Sequence, residues 1–302
     1  MQTKIENGLA RRRVLVFLLC LGPLSGAAYY CAIAKPYAWG PLLVMWSPGL
    51  AALAASLIVR RPLSEIGWRP GPPRYLLAGW LTPLLCGAVT YGAAWLTGIG
   101  GMPSAQFLQR AALTLNLHSR PPSEVVLLAF AYLSTMGLLN IGALGEELGW
   151  RGFLVPELNR WLGFHRAAIL SGAIWAIWHW PLVIWGGYNA GTPLLYGLCC
   201  LTLMTVSSGV WSAWLRLRSG SIWPCFVMHA VHNAIIQRFF DRVTIDTGHT
   251  KYFTTEFGAG LALSSLLLAI YCWFKAAELH FDGGTTWGVS SSDCRRLMGA
   301  SS

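Results

Sequence analysis

Long apolar runs, each interrupted by a short charged stretch, set the pattern of this chain. Reading for about 20 predominantly apolar residues per membrane crossing gives eight candidate spans. They run approximately from Val14 to Ala34, Ala38 to Val59, Leu76 to Ile99, Val125 to Gly145, Ala167 to Trp185, Leu194 to Leu215, Ile222 to Phe240 and Phe257 to Phe274. The runs are continuous and do not alternate in period two, so they predict helices and not barrel strands. The expected fold class is an all-α membrane protein of about eight transmembrane helices. Residues 1–13 form a basic N-terminus, 14–274 a single multi-spanning domain, and 275–302 a Gly-, Ser- and Thr-rich tail expected to be poorly ordered. The loop from Gly100 to Ser123 has the makings of a short helix of its own, and no internal repeat is visible.

The charged breaks give the topology. With the N-terminus inside, sixteen of the 22 Lys and Arg residues fall in inside segments. That bias is expected of cytoplasmic loops, so both termini are expected in the cytoplasm. The basic start and the apolar run behind it read as a spanning helix and not as a cleaved signal, because the run continues to Ala34.

Composition agrees with lipid as the solvent. Of 302 residues, 55% are hydrophobic and 11% charged, where a soluble domain carries about 25% charged residues. The mean hydropathy is +0.50. The formal charge of +10 is spread in ones, twos and threes between apolar runs, which suits loops at a membrane surface and gives no face for nucleic acid. Of the eight cysteines, seven sit inside apolar runs and Cys294 stands in the tail. They lack metal-ligand spacing and read as small hydrophobes. Cys294 is too far from the terminal MGASS to be a prenylation signal of this chain itself.

Ionisable groups at membrane depth are costly, so those near the spans are the candidates for chemistry. Glu146, Glu147 and Arg151 lie in GEELGWRGF at the end of the fourth run. Glu147 and Arg151, four apart, share a helix face and can pair, leaving Glu146 about 100° round and available. His179, in AIWAIWHWPL, lies about thirteen residues into the fifth run with Trp175 one turn before it. His229 and Asn233, at i and i+4 in the seventh run, stack on one face beside His232. The expected topology lets all of these converge on a cavity open to the inside. Each group also has a structural reading, as a helix-end charge cluster, a carbonyl-bonded histidine or hydrogen-bonded glue between helices.

Together they suffice for peptide hydrolysis by an activated water. Glu146 would serve as general base, His179 would orient the water, and His229 and Asn233 would donate to the scissile carbonyl oxygen. On this reading no cofactor is required. A metal reading uses the same groups, with Glu146, His179 and His229 holding zinc or a similar divalent ion. Neither an HExxH string nor a GxSxG elbow is present.

EELGWR, a histidine preceded four residues earlier by an aromatic, and HAVHN together resemble the CAAX prenyl protease and bacteriocin-processing family, which includes the Ras-converting endopeptidases. The resemblance covers about residues 125–236, and GWRPG at Gly67 to Gly71 is similar to a feature of its bacterial members. It implies an eight-helix intramembrane endopeptidase of the bacterial plasma membrane, with Glu146 activating water, His179, His229 and Asn233 as partners, and Glu147, Arg151 and Trp175 in support. The substrate would be a peptide or membrane-associated protein within the bilayer. The alternative is a non-catalytic member acting in peptide immunity or partner binding. This chain departs from the family pattern in placing Trp175 where Phe is usual, and His232 where many members have Asn.

Overall fold

Each apolar run becomes helix in the computed structural model, which describes residues 2–35, 37–189 and 191–276. The tail expected to be poorly ordered, with Cys294, Arg295 and Arg296, lies outside the described residues. Among the described residues, six helices are long and apolar enough to cross a membrane: α1 (Ile5–Ala34), α2 (Gly40–Ile58), α3 (Pro73–Leu96), α5 (Pro122–Leu139), α7 (Phe164–Trp185) and α8 (Leu194–Ser219). Between α3 and α5 the expected short helix forms as α4 (Ala105–Leu115), its first turn capped by the Ser104 hydroxyl, which accepts from the Phe107 amide. Proline opens α3 and α5, where its missing N–H costs nothing. Gly220, in the left-handed region at φ 69°, closes α8. Leu19, Leu57, Leu96, Leu127 and Leu195 remain exposed on their helices, a surface matched to hydrocarbon. The molecule is an all-α, integral multi-pass membrane protein.

The expected fourth span is divided. After α5, Asn140 leaves helical geometry at ψ 82°, and a new helix, α6, occupies residues 141–162. GEELGWRGF therefore lies in the middle of α6 and not at the end of the fourth span. α6 is no juxtamembrane loop either: Trp150, Phe153, Leu154, Val155 and Leu158 are wholly or almost wholly buried. Its central turns, Leu148–Leu154, are π-helix. The expected seventh span becomes α9 (residues 223–243), which passes from α to π bonding at Asn233 without a break. The last run forms α10 (Ala259–Lys275), a 17-residue helix.

Small residues let the site-bearing helices approach closely, as lipid-embedded helices do. A Cβ on Gly149 of α6 would stand 2.4 Å from Pro48 Cβ of α2. At the α7–α8 crossing, a Cβ on Gly209 would stand 2.7 Å from Gly172 Cα. An ion network fixes the far end of α6. Glu157, fully buried, receives Arg61 at 2.9 Å, Arg13 at 3.3 Å and Arg160 at 2.6 Å. Burial pushes the Arg61 guanidinium below its ordinary value, and the neighbouring Glu157 and Glu65 oppose the shift. Arg216 of α8 then donates to the carbonyl of Arg151 at 2.9 Å and to that of Ile66 at 3.1 Å. These bonds tie the connector before α3 to the π turns of α6. At the opposite end, Gly100–Gly101 pairs antiparallel with Ile245–Asp246.

Candidate active site

A cavity of about 450 Å³ lies between α2, α3, α6, α7, α8, α9 and α10. Glu146, Trp175, His179, His229 and Asn233 all line it. The convergence expected from sequence therefore holds, although α6 delivers the carboxylate by a route that sequence did not reveal.

Glu147 and Arg151 form the expected ion pair, at 2.9 Å on one face of α6. Both are buried, so their pairing offsets the cost of removing two charges from water. His229 joins them from α9, its Nδ1 lying 2.8 Å from Glu147 Oε1. A carboxylate only accepts, so Nδ1 carries the proton and donates, which directs Nε2 away from Glu147. That nitrogen lies 3.9 Å from Glu146 Oε1.

Glu146 is held from its other side by two indoles. Trp175 Nε1 donates to Glu146 Oε2 at 2.8 Å and Trp150 Nε1 at 3.3 Å. Oε2 is thereby occupied, while Oε1 is left toward His229 and the cavity. The Arg151 guanidinium lies over the Trp175 ring, 4.1 Å from its centroid, a cation–π contact that steadies the indole. Trp175 is thus more than a larger wall in place of phenylalanine, since it donates a hydrogen bond to the candidate base.

His179 points Nδ1 at the Trp175 carbonyl, 2.8 Å away. A carbonyl accepts, so Nδ1 is the donor, and in the neutral ring Nε2 keeps its lone pair. Asn233 sits one turn beyond His229, at the first π turn of α9, and its carboxamide makes no hydrogen bond to a described residue. π turns recur where helices carry function. Here they follow directly after Glu147 and begin at Asn233.

The cavity has a second polar wall that sequence reading missed. Glu256, buried just before α10, accepts from His232 Nε2 at 2.7 Å and from Gln237 Nε2 at 3.1 Å. The Tyr188 hydroxyl also donates to it. Burial alone would raise the Glu256 carboxyl, but the hydrogen bond from His232, with those of Tyr188 and Gln237, outweighs it and holds the group at about 2. The signal available in the sequence was a lone acidic residue against the last apolar run, the same kind of signal that picked out Glu146.

Among the described residues, no three His, Cys, Asp or Glu side chains converge as ligands for one ion. The Nδ1 atoms of both His179 and His229 donate to protein oxygens, so each ring has only Nε2 to offer a ligand.

Residues 122–235 match the family model described as type II CAAX prenyl endopeptidase Rce1-like. CAAX prenyl protease 2 of Methanococcus maripaludis is 38% identical over 52 residues, which are 17% of this chain and 19% of that relative. The chain thus matches about a fifth of that relative's length. Glu146, Glu147, Arg151, Trp175, His179, His229 and Asn233 fall inside the matched residues, whereas Gln237 and Glu256 fall beyond them.

Proposed function

We propose, from the premise that the chain is Rce1-like over residues 122–235, that it is a CAAX-type endopeptidase that hydrolyses a peptide bond within the membrane by a glutamate-activated water. One observation carries the mechanism. Glu146 is buried, with one oxygen fixed by two indole donors and the other left facing the cavity beside His229.

Glu146 Oε1 takes a proton from water as the water oxygen bonds to the scissile carbonyl carbon. His179 Nε2, in the neutral ring, accepts the other water hydrogen and fixes the direction of attack. Asn233 donates its carboxamide N–H to the carbonyl oxygen as charge develops there, and His229 donates as well when Nε2 carries a proton. The tetrahedral carbon then expels the amine. The carbon–nitrogen bond breaks, and Glu146 returns its proton to the leaving nitrogen. Glu147 and Arg151 orient His229 and Trp175 and do not touch the reacting atoms. No step passes through a metal.

The proposed substrate is a peptide or membrane-associated protein. The apolar walls of the cavity, including Met45, Leu201, Met204 and Met228, suit an apolar chain. The excess of basic residues on one side supports cytoplasmic termini, and the likeness of GWRPG at Gly67 to Gly71 to a feature of bacterial members supports a bacterial plasma membrane location.

The test is cleavage of fluorogenic peptides, some ending in prenylcysteine, by purified protein and by Glu146→Gln, with and without chelator. Wild type should cleave regardless of chelator. Glu146→Gln, with unchanged melting, should lose activity by about 10²-fold or more. Full activity in the variant would overturn the glutamate mechanism, and inhibition by chelator would overturn the metal-free route. Absence of cleavage from every member would leave a non-catalytic binder as the better reading.

A further inference from the structure

A second cavity, of about 370 Å³, opens between α4, α5 and α9 and shares no lining residue with the candidate active site. Its floor is apolar, built in part by Phe107 and Leu115 of α4 and Leu133 of α5. Three arginines surround it: Arg110 from α4, and Arg238 and Arg242 from the end of α9. Among the described residues, no aspartate or glutamate lines it.

These arginines carry charge that the protein leaves largely uncompensated. Arg110 and Arg238 make no ion pair with a described residue, and all three are exposed. Arg242 interacts electrostatically with Asp241, whose carboxylate already accepts the Tyr91 hydroxyl. By contrast, Glu157 closely pairs Arg13, Arg61 and Arg160. Depth matters too. Ala129 and Leu133 line the cavity seven and eleven residues beyond Pro122, so the groove begins about 10 Å along α5 and runs about 6 Å farther at about 1.5 Å per residue. The groove therefore combines a cationic rim with an apolar floor long enough for several methylenes.

We propose that this groove binds an anionic phospholipid, its phosphodiester held by Arg110, Arg238 and Arg242 and its acyl chain laid on the α4–α5 floor. Guanidinium forks match phosphate oxygens bidentately. A zwitterionic headgroup would bring its ammonium to the same rim, where no carboxylate receives it. A soluble anion would satisfy the arginines and leave the apolar floor uncovered.

The experiment is native mass spectrometry of the full-length protein in detergent, titrated with phosphatidylglycerol, phosphatidylcholine or inorganic phosphate. Wild type should retain phosphatidylglycerol about tenfold better than phosphatidylcholine, and equimolar phosphate should not displace it. Each arginine near an anionic headgroup is worth about fivefold, so joint Arg110→Gln, Arg238→Gln and Arg242→Gln should erase the preference while the corresponding lysines preserve most of it. Thr114→Glu adds a carboxylate at an exposed rim position and should weaken phosphatidylglycerol alone by about fivefold. It also decides the matter if the triple variant fails to insert. Equal binding of the two lipids, an unchanged preference in Thr114→Glu, or displacement by inorganic phosphate would each overturn the proposal, the last by showing a simple anion site. Peptide cleavage enters none of these readouts, so the result stands apart from the proposed activity.

Discussion

Trp175 joins two functions in one side chain. Its ring receives Arg151 and its N–H fixes Glu146 Oε2. Trp175→Phe keeps the aromatic wall and removes only the donor. Hydrogen bonds to charged groups are worth about 1.5–3 kcal/mol, so kcat/KM should fall about tenfold or more with melting little changed, and kinetics of the purified variant would test this. Glu256 gives a prediction of a different kind. Its folded carboxyl lies at about 2, against about 4.3 for a free glutamate. The sign follows: the anion's contribution to stability is complete above about pH 4.3 and fades as pH falls toward 2. Melting between pH 6 and 3 should therefore drop more steeply in wild type than in Glu256→Gln. At pH 7 the variant should be less stable by about 3 kcal/mol, the scale for breaking a buried ionic contact. The candidate site's ionisable residues were legible because such groups are rare in apolar runs. Glu147–Arg151 pairing followed from four-residue spacing alone. The Trp175 and Trp150 bonds to Glu146 were not legible, since an indole in a hydrophobic run reads as bulk and only the packed geometry shows where its single N–H points.

Helix α6 shows what hydropathy misses. The run from Val125 to Gly145 reads as one span because a window averages over Asn140, and averaging carries no information about direction. The structure breaks there and turns α6 inward, where Gly149 meets Pro48 of α2. Gly149→Ala would place a Cβ 2.4 Å from Pro48 Cβ and 2.6 Å from the Pro48 carbonyl oxygen. Backbone yields little, so the protein should lose about 1–3 kcal/mol. Thermal unfolding in detergent should show a lowered midpoint, and activity should fall with it because the displaced helix carries Glu146. An unchanged midpoint would mean that α2 and α6 separate at no cost. The π turns were equally hidden, because nothing in local propensity distinguishes LGWRGFL as π from the same residues as α-helix.

At the scale of the molecule, the charge distribution and the helix bundle together predict orientation. Single cysteines placed in the connector between α2 and α3, in a background free of reactive native thiols, should label only from the cytoplasmic side. Labelling from outside would reverse the topology and move the candidate active site's entrance. The all-α membrane class was open to sequence because it depends on counting apolar residues. The second polar wall was not, because Tyr188, His232, Gln237 and Glu256 are separated by up to 68 residues and meet only in the folded bundle. That wall also straddles a boundary. The groups proposed for the chemistry all lie within residues 122–235, while Gln237, Glu256 and the α10 lining residues Leu261 and Leu268 lie beyond. The groups proposed for the chemistry and one further part of the cavity wall are thus encoded in successive stretches of chain. Exchanging residues 237–268 between related proteins would then alter which substrates are accepted and leave the reacting wall intact, so new substrate preference could arise without redesign of the catalyst.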